Sequence, residues 1–227
     1  MENRARQYVG CSQSRVLSLV EVFVMCCRYW IERSPEMDPI IDEVNKSPLT
    51  ARWLQWTGVK TEGEIRPADV VPVIAPSPKG GRKVYPMKWG FSGRSLLMNA
   101  RVETAATKPT FRDAWKSNRC IIPATYYFEW EHLVDNSGKK HTGDKYMIQP
   151  AGDTMTWLCG LYRIENNFPV FVVLTREPGG QIRFIHDRMP LILPGELVDE
   201  WICPDTNPDD LLGNVLTDMV FKKVVEG

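Results

Sequence analysis

The sequence predicts an α+β fold, a single domain built on an open, barrel-like, mostly antiparallel β-sheet with a few flanking helices. Two observations lead to this class. In the middle of the chain, β-branched and aromatic runs alternate with polar turns rich in Gly and Asn, a pattern typical of an antiparallel sheet or barrel. Helical spacing is confined to short segments. The 227 residues, 43% of them hydrophobic, are enough to bury one sizeable core.

Three segments carry helix signals. In "SPEMDPIIDEVNKSP", residues Met37, Ile40, Ile41 and Val44 have i, i+3, i+4, i+7 spacing, which predicts an amphipathic helix. The segment "TFRDAWKSN" predicts a short helix after a turn, and "PGELVDEWI" predicts a capped helix near the end. All three are expected to pack on the sheet.

Apolar runs predict the strands. "DVVPVIAP" is an apolar strand bounded by prolines, and "GGRKVYPMKWGF" has a Gly-Gly turn leading into a second strand. Further strands are predicted in "RCIIPATYYFEWEH", "KYMIQP", "TMTWLCGLYRI" and "FPVFVVLT".

The domain is expected to span residues 25–227, with residues 1–24 forming a non-native or processed extension. Those first residues weakly imitate a secretory signal, but no A-x-A-like cleavage site follows them and no run reaches transmembrane length. The six cysteines lack C-x-x-C spacing, which favours a reduced, cytoplasmic setting.

Charge is distributed unevenly although the net charge is zero. Between Lys79 and Arg119 there are ten basic residues against two acidic ones, and from Pro194 onward eight acidic residues against two basic ones. Aromatic residues lie within the basic segment, namely Tyr85, Trp89, Phe91, Phe111 and Trp115. This mixture favours a groove for single-stranded nucleic acid, where bases stack on rings and cations contact phosphates. Solvated loops and helix faces explain the same composition.

Two residues are candidates for proton transfer. His186, in "RFIHDRMPLIL", is expected where a strand-like segment ends in a charged cluster at a sheet edge, whereas His132 and His141 are expected in exposed loops. Glu129, in "YYFEWEH", lies among aromatic residues, a setting in which burial raises a carboxyl pKa. A structural histidine and an exposed strand glutamate are the alternative interpretations.

Two further segments carry candidate site residues. In "MNARVETA", an extended chain places Asn99, Arg101 and Glu103 on one face, where an amide and a guanidinium could bind a ligand. The vicinal pair Cys26-Cys27 follows Met25, and the cysteines have no zinc-ligand spacing. Cys26 is therefore a candidate nucleophile, either as an internal thiol or, at a chain start, as an aminothiol.

These motifs together resemble the SRAP family (SOS response-associated peptidase), whose members shield abasic sites. The resemblance rests on "MCCRYW", "NARVETA", "TFRDAW", "RCIIPATYYFEW", "VVLT" and "IHDRMPLIL", in this order. It covers the chain from Met25 to about Trp201. It implies a β-barrel-like α+β domain that binds single-stranded DNA and forms a covalent thiazolidine with the aldehyde of an abasic site.

The resemblance implies a role for each matching residue. Cys26 would be the nucleophile, Asn99 would hold the N-terminal residue and the lesion, Glu129 would be the acid/base, and His186 would assist sugar opening and proton transfer. The residues expected at the DNA are Arg28, Trp89, Arg101, Thr175 and Arg188. No cofactor and no metal are implied, and a monomer in the bacterial cytoplasm, associated with the nucleoid, is expected.

The chain departs from the family pattern at Cys27, where glycine is common. A thiazolidine also requires a free α-amine on Cys26, hence translation from Met25 or removal of the preceding residues. Two other functions stay open: a cysteine autopeptidase that removes its own leader, and a non-covalent binder of single-stranded DNA. Whether a lyase side reaction occurs is left open as well.

Overall fold

The computed structural model describes residues 28–225. Thirteen strands occur in this part of the chain. They are β1 Arg28–Ile31, β2 Gly63–Ile65, β3 Val70–Pro76, β4 Arg82–Trp89, β5 Asn99–Arg101, β6 Arg119–Ala124, β7 Tyr126–Val134, β8 Lys140–Pro150, β9 Thr156–Glu165, β10 Phe168–Arg176, β11 Met189–Pro190, β12 Ile192–Leu193 and β13 Met219–Lys223.

The helices are short and lie between the strands. The α-helices are α1 Asp38–Asn45, α2 Pro48–Trp53, α3 Val102–Ala105, α4 Arg112–Ser117 and α5 Val198–Ile202, and 3-10 helices span Gly180–Ile182, Gly195–Leu197 and Pro208–Asn214. No helix among residues 28–225 is long and apolar enough to cross a membrane.

The predicted barrel-like sheet is confirmed, and it is closed. Strands β10, β4, β3, β6 and β9 pair in that order, and β9 pairs back onto β10. The β10–β4 pairing is parallel and the other four are antiparallel. The β3–β4 turn contains Gly80 and Gly81, both with positive φ, a backbone conformation that glycine adopts without steric penalty.

A second, five-stranded antiparallel sheet has the order β13-β8-β7-β1-β2. The sequence "RCIIPATYYFEWEH" is therefore not one strand, because Thr125 separates β6 in the barrel from β7 in the second sheet. The Thr125 N–H donates to the carbonyl of Trp30 and its hydroxyl accepts from the N–H of Glu32, so this corner is tied to β1.

Two of the helix predictions are confirmed and the third needs correction. Helix α1 buries Ile40, Ile41 and Val44, as its spacing predicts, and α4 lies within "TFRDAWKSN". The segment "PGELVDEWI" instead forms a 3-10 turn followed by the five-residue α5, and neither has a side-chain cap. The Pro and Gly at its start favour a turn over a regular first helical turn.

Candidate active site

Glu129 lies near the middle of β7 with only 2% of its surface exposed. Strand alternation places its side chain on the face that also carries buried Tyr127. Its cross-strand partner in β8 is Tyr146, and its carboxylate accepts a hydrogen bond from the N–H of Trp130 at 3.3 Å. The structure therefore confirms the burial predicted for this carboxylate.

His186 lies in a loop, not at the end of a strand as predicted. The loop follows the 3-10 turn Gly180–Ile182 and leads into β11. The ring is buried, and its Nδ1 accepts a hydrogen bond from the N–H of Arg188 at 2.9 Å. An Nδ1 that accepts an N–H has no proton of its own, so in the neutral ring the proton is on Nε2. That N–H has no hydrogen-bond acceptor among the described residues.

His132 packs directly on His186, which corrects its predicted place in an exposed loop. It belongs to β7, and the two ring centroids are 3.8 Å apart. Burial, followed by the proximity of His132, lowers the pKa of His186 from 6.5 to about 4. His186 is consequently neutral at physiological pH. The sequence gives only a weak signal for this contact, namely that His132 lies in the same predicted strand segment as Glu129.

A metal ion has one candidate set of ligands among residues 28–225. Ligand atoms of His132, His186 and Asp187 lie within 4.8 Å of one another. Of the possible ligand atoms, the Nδ1 of His186 accepts the Arg188 N–H and lies 2.9 Å from a carboxylate oxygen of Asp187. An ion bound at this nitrogen would displace the hydrogen bond from Arg188.

Asn99 and Arg101 lie in β5, which pairs in parallel with β10. Glu103 does not continue this strand face as predicted, because the chain enters α3 at Val102. Its carboxylate instead forms a bidentate ion pair with Arg188, with both N···O distances 2.8 Å. The hydrogen bonds from Arg188 lower the pKa of Glu103.

Arg188 and Thr175 are both largely buried. One guanidinium nitrogen of Arg188 donates to the carbonyl of Thr175 at 2.6 Å, so Thr175 positions this arginine. A polar cavity of about 310 Å³ opens beside it, lined by Arg101, Glu177, Pro178, Arg183, Asp187 and Arg188. Arg101 is exposed there and makes no ion pair with any residue of the described part of the chain.

Arg28 lies on the other face of the second sheet. It is the cross-strand partner of Phe128, and its guanidinium lies 5.9 Å from the centre of the Trp130 ring and 2.5 Å from Glu64. Glu64 also binds Lys145 at 2.8 Å and Arg66 at 3.0 Å. Burial opposes ionisation of Glu64, but the hydrogen bonds from Lys145 and Arg28 outweigh it and lower its pKa to about 2. The structure therefore places Arg28 in an ion-pair cluster, away from Glu129.

The expectation that Trp89 stacks on bases needs correction. Trp89 is 1% exposed, packs between Tyr29 and Phe171, and donates its indole N–H to the carbonyl of Met98. Most of the other aromatic residues of the basic segment are buried as well, namely Phe91, Phe111 and Trp115. These rings are buried because their large hydrophobic surfaces pack into the core of the domain.

The position of Arg119 also contradicts the expectation of a basic face. Its guanidinium is fully buried and donates to five backbone carbonyls, those of Trp115, Lys116, Trp201, Cys203 and Thr206. It is a structural residue of the core. Arg82 lies near Asp199 of the acidic C-terminal part, with 3.6 Å between the charged groups.

Cys26 and Cys27 lie outside the described residues. Among the described cysteines, Cys120 and Cys159 are buried, and burial raises the pKa of both thiols well above the ordinary value. Thiols of this kind are inert, because the thiolate is the nucleophile. Neither one substitutes for Cys26 as a candidate nucleophile.

A closed barrel is flanked by a second sheet, and the loop of His186 connects the two. His132 of β7 packs on His186, which accepts the Arg188 N–H, and the Arg188 side chain binds the Thr175 carbonyl of β10. Residues 25–225 match the family described as SOS response associated peptidase (SRAP). The chain belongs to this family, as its motifs predict.

Relatives and solved structures agree with this membership. The abasic site processing proteins YoaM of Bacillus subtilis and YedK of Escherichia coli are 34% and 30% identical to the chain over 125 and 128 residues. Each alignment covers about half of this chain and about half of the relative. A Bacteroides thetaiotaomicron protein and a phage-related protein from Bordetella bronchiseptica share the fold, both with a TM-score of 0.66, at 21% and 22% identity. They match 88% of this chain and 92% and 95% of their own.

Proposed function

We propose that the chain, in a form whose first residue is Cys26, captures the aldehyde of an abasic site in single-stranded DNA as a covalent thiazolidine. Relatives named abasic site processing proteins support abasic DNA as the substrate. The proposal extends to a monomer acting in the bacterial cytoplasm near the nucleoid. Residues 1–24, together with Met25, would be absent from the active form.

The observation that carries this proposal is the order of partners along one edge of β7. Among the described residues, β1 pairs with β7 from Tyr126 to Phe128, and further along β7 the N–H of His132 donates to the carbonyl of Ile185. Since β8 occupies the other edge, β1 and the loop of His186 lie along the same edge, and the position of Glu129 falls between them. Arg28, the first described residue, lies opposite Phe128. Two residues of chain reach about 7 Å at most, so Cys26 has to act close to Glu129.

The reaction balances with the loss of one water. The neutral α-amine attacks the aldehyde carbon, and the carbinolamine loses water to give an imine. The thiol sulfur then adds to the imine carbon while the nitrogen takes up the thiol proton, which closes the five-membered ring. An α-amine with a pKa of about 7.7 to 8.0 is partly neutral at physiological pH. No cofactor or oxidant is needed.

Glu129 is the group proposed to give and take protons, because its carboxylate is buried and it follows Phe128, the cross-strand partner of Arg28. His186 has a different role from the proton transfer that the resemblance implies. Held neutral with its proton on Nε2, it would donate a hydrogen bond to the sugar oxygen and stay unchanged. Asn99 would hold the N-terminal residue, and Arg101 and Arg188 would face the phosphates.

The test uses two preparations, one starting at Met1 and one at Met25, mixed with a single-stranded oligonucleotide that carries one abasic site. Intact mass and a denaturing gel detect the adduct. We expect an adduct equal to the sum of both masses minus one water for the Met25 form after loss of Met25. Cys27→Ser is the matched control and should react normally, whereas Cys26→Ser should not react.

Three results would contradict the proposal. Equal adduct yield from Cys26→Ser would show that another nucleophile acts. Loss of the leader from the Met1 form without any DNA adduct would favour the autopeptidase. Binding that is fully reversed by salt and equal for abasic and intact strands would favour the non-covalent binder.

The role of His186 is tested with two substitutions. Glutamine places an amide N–H near the position of Nε2, whereas alanine leaves no donor. We expect His186→Gln to retain much more of the crosslinking rate than His186→Ala. Equally low rates would instead mean that the ring transfers a proton.

A further inference from the structure

Three aromatic rings form an exposed cluster at the edge of the second sheet. Phe184 and Phe221 are 50% and 42% exposed, and their ring centroids lie 5.4 Å apart. Tyr146 completes the cluster, with its ring 5.7 Å from Phe184 and 6.0 Å from Phe221. We call these three residues the aromatic platform. Exposed aromatic surface that is grouped in this way commonly marks a binding site.

The platform adjoins the candidate active site through the register of the sheet. Tyr146 is the direct cross-strand partner of Glu129, so both side chains lie on the same sheet face. Phe221 lies opposite Ile148, which itself lies opposite Tyr127 on that same face. A row of side chains thus leads from the buried carboxylate to the exposed rings.

The loop of His186 provides a second connection. Phe184 precedes His186 by two residues, and its ring covers Tyr146. The neighbouring residue, Arg183, lines the polar cavity that also contains Arg101 and Arg188. The short segment 183–188 therefore has an aromatic platform on one side and arginines on the other.

The chemistry of this surface fits a nucleobase better than a protein partner. Every base has a π-face that stacks on aromatic rings, and cations beside the rings contact the phosphates. The cations nearest the platform in sequence are those of the polar cavity, where Arg183, next to Phe184, lies with Arg101. Lys223 lies in the same sheet row as Tyr146, but its ammonium is paired with Asp144 at 2.6 Å. The exposed Val220 does not extend the platform, because alternation along β13 places it on the opposite face from Phe221.

We propose that Tyr146, Phe184 and Phe221 form a stacking subsite for the base next to the abasic nucleotide in single-stranded DNA. The inference rests on the proposed function for the identity of the DNA. The subsite would fix the strand so that the sugar without a base lies near Glu129. It also gives the protein a preference for an intact base on one side of the lesion.

The experiment measures binding without the covalent step. The full chain binds an oligonucleotide in which tetrahydrofuran replaces the abasic sugar, and fluorescence anisotropy gives the Kd. In two further oligonucleotides the neighbouring base on one side or on the other is also removed. We expect removal on one side alone to weaken binding by about tenfold.

Variants assign this effect to the platform. Phe184→Ala should bind the intact oligonucleotide about tenfold more weakly and lose no further affinity when the base is removed. Phe184→Tyr, which keeps a ring, should behave like the wild type. Trp56→Ala is the matched control, since Trp56 is 75% exposed and lies outside the platform.

Two results would overturn the proposal. One is a Phe184→Ala variant that remains as sensitive to base removal as the wild type. The other is a wild-type dimer that Phe184→Ala converts to a monomer without any change in DNA affinity, which would make the platform a protein interface. Because tetrahydrofuran cannot form an aldehyde, the binding result is independent of crosslinking. If Phe184→Ala changed the affinity as expected but wild type formed no adduct with true abasic DNA, only the proposed function would be refuted, and the stacking subsite would stand.

Discussion

Replacing His186 with glutamine should change how the stability of the protein depends on pH. Burial, together with His132, holds the pKa of His186 at about 4, against 6.5 in an unfolded chain. Between these two values the unfolded chain binds a proton that the folded chain does not, so the free energy of unfolding decreases as the pH falls. The difference of roughly 2.5 between the two pKa values corresponds to about 3 kcal/mol.

Urea unfolding of wild type and His186→Gln at several pH values between 7.5 and 4 measures this effect. Glutamine does not titrate, so the wild-type advantage should shrink by about 3 kcal/mol across the range, with most of the change between pH 6.5 and 4. A carboxylate that makes no contact with His186, such as Glu64, titrates in both proteins and cancels in the difference. A difference that stays constant with pH would mean that folded His186 is protonated as readily as a free histidine.

Three other substitutions test the corrected assignments. Arg119→Met leaves the carbonyls around the buried guanidinium without a donor and should destabilise the protein by about 3 kcal/mol or more. Urea unfolding should show a lower midpoint, and an unchanged midpoint would contradict the structural role of Arg119. Trp89→Phe loses the hydrogen bond to Met98 and should lower the free energy of unfolding by about 1 to 2 kcal/mol, with DNA affinity unchanged. Weaker DNA binding by the folded variant would show that Trp89 contacts DNA after all. Glu103→Gln removes the half-exposed charge partner of buried Arg188 and should lower the free energy of unfolding by about 1 kcal/mol at pH 7. Below the lowered pKa of Glu103 the effect should be small, and thermal unfolding at both pH values measures it.

The fold class and most of its strands follow from the sequence because their signals are local. Alternation, proline boundaries and a Gly-Gly turn suffice to place β3 and β4, and apolar periodicity suffices for α1. Barrel closure is not a local property. It depends on β9 pairing with both β6 and β10, and nothing in "TMTWLCGLYRI" alone specifies two partners.

The residue type was enough to predict some of the candidate site. It was not enough where tertiary contacts determine whether a side chain is buried or exposed. Glu129 among aromatic residues correctly indicated a buried carboxylate. Trp89 and Arg119 were misjudged, because an aromatic or basic residue looks the same in a sequence whether it faces solvent or completes a core. The contact of His132 with His186 joins residues 54 positions apart, and no periodicity encodes such a pair.

In the proposed function, the register of β1 limits how far Cys26 can lie from Glu129. Tyr29 and Ile31 are each 1% exposed, and a slip by one residue would turn both toward solvent. Their burial therefore fixes Arg28 opposite Phe128, next to the position of Glu129 in β7. A leader is incompatible with the proposed chemistry for a different reason. Additional residues would leave the register unchanged but would convert the amine of Cys26 into a peptide nitrogen, which cannot form an imine.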